Sequence, residues 1–234
     1  MITYRQGSML VVTTQPDHAA LSAEMLALWR ADGLPQHPRR ADLLFAAREH
    51  DNGWREPDAA PRVDPGSHRP YTFRTIPDTL RQEIWQRGTQ RFAKGSPYAA
   101  ALILEHAIQL HRGDAGWEEL LAVFHEQRGE LLDSSGAAEA ELAADYPFIE
   151  LTDLFSLALC SRWDQPFERH GRRFTVRGDE LYLTPFPLAG ATTFTVRCRH
   201  IPDRDYRGDA DLGGELAAAR WQQRRVRIVP GEPP

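Results

Sequence analysis

A chain of 234 residues is long enough to bury one sizeable core, and 41% hydrophobic with 26% charged residues is the make-up of an ordinary globular protein. Its net charge of −5 offers no basic surface to a nucleic acid or an anionic membrane. No apolar run approaches the ~20 residues of a membrane span, and Met1-Ile2-Thr3-Tyr4-Arg5 lacks a signal-peptide pattern, so a soluble, cytoplasmic protein is expected.

Residues 2–14 alternate loosely around a Gln6-Gly7-Ser8 turn and read as one or two short strands, with Met9-Leu10-Val11-Val12 as the β-rich run. Thr14, Pro16 and Asp17 announce a helix that the pattern carries to about Ala31. Its apolar face, Leu21, Met25 and Leu28, is led by His18. A second helical run from Arg40 to Asp51 places Leu43, Leu44 and Ala47 on one face with His50 and Asp51. Gly53 is expected to end it at positive φ. A proline-rich loop from Arg55 to Pro77 follows, and its Arg69-Pro70-Tyr71-Thr72-Phe73-Arg74 stretch suits either a pocket mouth or a cover over the core edge.

Three more helices are expected: Asp78 to Ala93, Pro97 to His111 (capped by Ser96), and one opening at Asp114 that ends at Ser134-Ser135-Gly136. The second of these carries His106 on a face with Ala99, Ile103 and Leu110. A further helical stretch, interrupted at Pro147, places Asp153 with Ile149, Ser156 and Cys160. Beyond Ser161 the pattern changes to period two around Phe174, Leu181 and Phe194, with Arg177-Gly178-Asp179 as a hairpin turn. These strands are expected to join residues 1–14 in one small antiparallel sheet, followed by a polar tail over 203–234. Cys160 and Cys198 have no metal-type spacing and read as buried free thiols rather than a disulfide.

Four helices thus each commit a ligand-type group to an apolar face: His18, His50 with Asp51, His106, and Asp153. Buried imidazoles and carboxylates are costly unless paired, and a divalent cation (Mn, Fe, Mg, Zn or Ni) satisfies several at once. Singly, each also fits a core histidine bonded to a carbonyl, or an aspartate paired with an arginine such as Arg48.

The order His, His-Asp, His, Asp resembles the HD-domain superfamily of metal-dependent phosphohydrolases over residues 15–160. The stretches Gln15-Pro16-Asp17-His18, His50-Asp51-Asn52-Gly53-Trp54 and Thr152-Asp153-Leu154-Phe155-Ser156-Leu157 also look like an uncharacterised bacterial family, domain of unknown function 3891. The first resemblance implies an HD-like helical core over residues 15–160, and with the small antiparallel sheet of residues 1–14 and 172–199 the expected fold is a mainly α single domain. It implies that His18, His50, Asp51 and Asp153 hold a metal. His106 is the best candidate for an added ligand, ahead of His111 and His125.

The function expected is hydrolysis of a phosphoester or phosphoanhydride in a small phosphorylated molecule. Asp51 would take a proton from metal-activated water, Arg48 would assist catalysis, and Arg69 and Arg74 would bind substrate. The alternatives are a di-iron oxygenase, which needs His111 or His125 as a further ligand, and a metal-stabilised binding protein without turnover. The sequence is compatible with a homo-oligomer.

Overall fold

The computed structural model describes residues 1–233. It is 48% helical and 20% strand, and its seven-stranded, curled, mixed sheet makes it an α/β fold rather than the mainly α one expected.

β1 (Ile2–Gln6) and β2 (Met9–Thr13) form a hairpin whose turn holds Gly7 at φ 61°. Thr14 caps α1 (Gln15–Ala27): its hydroxyl oxygen accepts from the Asp17 amide at 3.1 Å, and Pro16 occupies a first-turn position where a missing N–H costs nothing. The helix stops at Ala27, about a turn before the expected end, and Leu28 is exposed. Trp29 is buried instead, its indole donating to Asp32.

α2 (Arg40–Glu49) ends just before His50 and Asp51, and a 3₁₀ turn, Asn52–Trp54, leads into the short α3 (Arg55–Ala59). Gly53 does not take positive φ; its role is close approach. A Cβ there would collide with the Ile84 carbonyl oxygen and stand 3.2 Å from the Gly88 Cα, both on α4 (Asp78–Gln90). That contact holds α4 against the segment carrying His50 and Asp51. Gly53→Ala is therefore expected to cost about 3 kcal/mol, at the upper end of ordinary overpacking. The readout is a lower urea midpoint at unchanged slope, and a wild-type midpoint would refute the close approach.

α5 (Pro97–His111) and α6 (Glu118–Ser135) pair with each other, and α6 ends on Gly136 at φ 64°. α7 (Glu139–Ser161) runs unbroken through Pro147, where an interruption was expected. Proline forfeits one intrahelical donor, but the buried face on either side of it (Leu142, Tyr146, Ile149, Asp153) stays in register and holds the helix together.

The remaining elements are β3 (Phe167–Arg169), β4 (Arg172–Arg177), β5 (Glu180–Thr184), β6 (Thr192–Pro202), α8 (Asp209–Ala218) and β7 (Gln222–Pro230). The sheet order is β1-β2-β6-β7-β5-β4-β3. β2 pairs antiparallel with β6, Met9 opposite Pro202, so the N-terminal and C-terminal strands do meet in one sheet. That sheet is neither small nor wholly antiparallel, because β5 and β7 run parallel with Glu180 opposite Arg227. The expected polar tail supplies α8 and a strand in the middle of the sheet. Along β7, Val226 and Ile228 are buried while Arg225 and Arg227 are exposed. Phe174, Val176, Leu181, Val196 and Val226 of the sheet share one core with Leu21 of α1 and with Ile149 and Phe155 of α7.

Cys160 and Cys198 are buried free thiols. Among the described residues, no helix is long and apolar enough to cross a membrane.

Candidate metal centre

α1, α5, α7 and the turn that follows α2 bring His18, His50, Asp51, His106 and Asp153 together, all buried. His18 Nε2 stands 2.7 Å from Asp51 Oδ2 and 3.8 Å from Asp153 Oδ1. His50 Nε2 lies 3.6 Å from Asp51 Oδ2 and 3.3 Å from Asp153 Oδ1, and His106 Nε2 lies 3.9 Å from Asp153 Oδ2. Two donors bonded to one cation at ~2.0–2.2 Å can be no more than about 4.4 Å apart. Every one of these separations fits that limit. The donors form two triads, His18 with His50 and Asp51, and His50 with His106 and Asp153, each able to hold a metal ion.

The surrounding hydrogen bonds aim the ring nitrogens. His50 Nδ1 lies 2.8 Å from the Ala47 carbonyl oxygen, which can only accept, so Nδ1 carries the proton. Its Nε2 is buried and finds no hydrogen-bond partner; the approach to Asp153 is not aligned for one. Ser156 Oγ donates to the Asp153 carbonyl at 2.9 Å and so accepts from His18 Nδ1, also at 2.9 Å. His18 Nε2 then faces Asp51 Oδ2. His106 Nδ1 meets the Tyr146 hydroxyl at 3.2 Å. Bare nitrogens facing carboxylate oxygens repel unless a proton or a cation lies between them.

The electrostatics record that demand. Burial opposes a charge on His50, yet the carboxylates of Asp51 and Asp153 raise its pKa to about 9. Burial acts against the ionised forms of Asp51 and Asp153 too, but the neighbouring histidines hold both carboxyls below their ordinary range. His106 goes the other way: burial depresses it to about 4, ahead of the opposing pull of Asp153. His106 is thus neutral at pH 7 and offers a lone pair.

The centre opens onto a cavity of about 310 Å³. Arg74 lines it, as expected from the loop, stacked on Phe73 and Trp163 with ring distances of 5.2 and 4.9 Å. Arg69 does not; it pairs with Asp203 at 2.6 Å and ties the loop to the C-terminal segment. Arg48 is exposed on the outside of α2 and lies off the cavity. Its position one turn before the His-Asp pair sets its distance along the helix but not its direction, which is away from the centre. His125 is exposed. His111 lines the cavity outside both triads, stacked on Trp117 and 2.9 Å from Asp114.

Sequence reasoning missed Gln15, Arg81 and Trp85 as cavity residues. Two signals were available. Gln15 sits one residue inside α1 and three before His18, on the same face, and Arg81 sits one turn before the inward-facing Trp85.

A family model described as "Protein of unknown function (DUF3891)" matches residues 1–203, which include every residue of the centre. Neither a curated protein nor a solved structure matches the chain.

Proposed function

The chain belongs to this family of unknown function (DUF3891), and we propose that its buried histidine–aspartate centre binds one divalent metal and hydrolyses a phosphate ester. The observation that carries this reading is the unpartnered, buried Nε2 of His50, set behind two carboxylates and two further imidazoles that line a cavity. The order of the five residues along the chain also resembles that of the HD-domain phosphohydrolases, and the proposal draws on that resemblance.

Each triad offers two imidazole nitrogens and one carboxylate, a set that favours Mn, Fe, Zn or Ni over Mg, which prefers oxygen ligands. One ion is expected rather than two. His50 belongs to both triads but has a single lone pair to give, since its Nδ1 proton is committed to Ala47.

A divalent ion bound there would supply Lewis acidity, which lowers the pKa of water and polarises a phosphoryl oxygen. The chain's own residues do the rest. Ser156 and the Ala47 carbonyl fix the His18 and His50 rings so that Nε2 points inward without reorganisation. Asp51 lines the cavity, and its Oδ1 is free of hydrogen bonds among the described residues, so it is positioned to accept a proton from an attacking water. Trp54, Trp85 and Leu157 give the cavity an apolar lining beside the centre.

The test is elemental analysis of protein purified without a histidine tag, together with a phosphate-ester panel with added Mn, Fe, Zn or Mg. About one metal per chain and metal-dependent turnover are expected. A protein that takes up no metal on reconstitution would end the reading. Bound metal without hydrolysis of any ester would reduce the centre to a structural or ligand-binding role.

A further inference from the structure

The cavity above the centre carries three polar groups that the proposed reaction does not use. Arg74 has no carboxylate partner among the described residues and reaches the cavity from the loop. Arg81 of α4 donates to the Ile76 carbonyl at 3.1 Å, and its Nε is buried with no partner. Gln15 is 4% exposed, lines the same cavity, and has a buried amide oxygen with no hydrogen-bond partner. An orphaned acceptor of that kind is costly to keep unless a ligand supplies the donor.

We propose that this cavity takes a small phosphomonoester, its dianionic head held between the centre and the guanidinium groups of Arg74 and Arg81, and a hydroxyl or N–H of its organic part given to the Gln15 amide. The proposal rests on the metal-dependent phosphohydrolase reading and narrows its substrate class.

The charge count favours a monoester over a diester. A divalent ion would be matched in charge by the carboxylates of Asp51 and Asp153, which face the histidines at 2.7 and 3.3 Å, leaving the arginines as the surplus. Two further carboxylates stand near the arginines, but Asp114, 2.9 Å from His111, is 48% exposed and Asp78, 3.1 Å from Arg81, is 61% exposed, where water weakens the pull of both. A monoester brings about −1.5 to −2 charges at pH 7 and can match both arginines, whereas a diester keeps one. Arginine also suits phosphate by its forked donors. The size of the cavity, about 310 Å³, is at the lower end for small-molecule sites (~300–1,000 Å³). Phe73, Trp85 and Leu110 add an apolar wall for the organic part.

The experiment is calorimetric titration of the metal-loaded full chain with orthophosphate and with dimethyl phosphate at pH 8. Metal content and melting temperature are measured on every sample. Orthophosphate is expected to bind at least tenfold tighter than dimethyl phosphate, and Arg74→Gln and Arg81→Gln are each expected to weaken it at least tenfold. Arg74→Lys and Arg81→Lys, which keep the charge, are expected to fall between, and they guard against a variant that fails to fold. Gln15→Leu is expected to raise KM for glycerol phosphate at least tenfold more than for phenyl phosphate.

Dimethyl phosphate binding as tightly as orthophosphate, or affinity indifferent to both arginine substitutions, would overturn the proposal even in a sample that holds metal and hydrolyses esters. Arginine-dependent orthophosphate binding in samples that hold no metal would retire the hydrolase reading and keep the anion site.

Discussion

Asp153→Ala is expected to empty the centre of metal and abolish turnover while leaving a cooperatively folded protein. Asp153 is the hub of the cluster: one oxygen lies 3.3 Å from His50 Nε2 and 3.8 Å from His18 Nε2, and the other lies 3.9 Å from His106 Nε2. Asp51, by contrast, approaches only His18 and His50 within 4 Å. His50→Ala should match it, because His50 belongs to both triads. Ser156→Ala provides the graded comparison. It removes the hydrogen bond that orients His18, along with the hydroxyl's bond to the Asp153 carbonyl, and leaves every metal-binding group in place, so a loss of about 10–100-fold in metal affinity is expected, with residual activity. The fold should survive all three changes, since α7 remains anchored by Ile149, Phe155 and Leu159. The checks are metal analysis after dialysis, initial rates on the best ester, and urea unfolding. Full metal occupancy in Asp153→Ala would show that the cluster is not the binding site.

The five clustered residues were legible because a helix repeats every 3.6 residues, so a histidine on an apolar stripe must point where the stripe points. His106 among Ala99 and Ile103, and Asp153 beside Ile149, declared their direction in this way. Arg48 had position along the helix but no such stripe, and it points outward.

What was not legible has two physical causes. Strand β7 hid behind its own charges: Arg224, Arg225 and Arg227 make the segment look solvated, although Val226 and Ile228 keep period two. Arg224 is tolerated inside the sheet because it donates to Asp179 at 2.8 Å and to the Leu159 carbonyl at 2.7 Å. With β7 read as tail, the sheet shrank and the fold class followed it. The second cause is tertiary. Arg81 and Trp85 reach the cavity because α4 is seated on Gly53, a backbone approach with no sequence period to reveal it. The glycine was visible in the sequence, but whether it served a positive φ or a close approach was not.

Metal-free protein is expected to be most stable near pH 6.5 and to lose stability on both sides, whereas stabilisation by metal should grow steadily toward pH 9. On the alkaline side the group is His50. Burial alone would lower its pKa, but Asp51 and Asp153 raise it to about 9, above the ~6.5 of an unfolded histidine. Its contribution is therefore fully present below about 6.5 and lost as pH climbs through 9. The shift corresponds to roughly 3 kcal/mol at 1.36 kcal/mol per unit.

On the acid side the group is His106, which burial depresses to about 4. Between pH 6.5 and 4 the unfolded chain binds a proton there that the folded one refuses, so stability falls as pH falls. Burial depresses His111 as well and acts in the same direction. A metal must displace the proton that His50 holds, so its affinity rises with pH until that proton is gone near 9. The measurement is a melting series from pH 4.5 to 9.5, with and without saturating metal. A metal-free melting temperature that stays level from 6.5 to 9.5 would refute the buried, protonated His50. A gap between loaded and metal-free protein that narrows with pH would refute its competition with the ion.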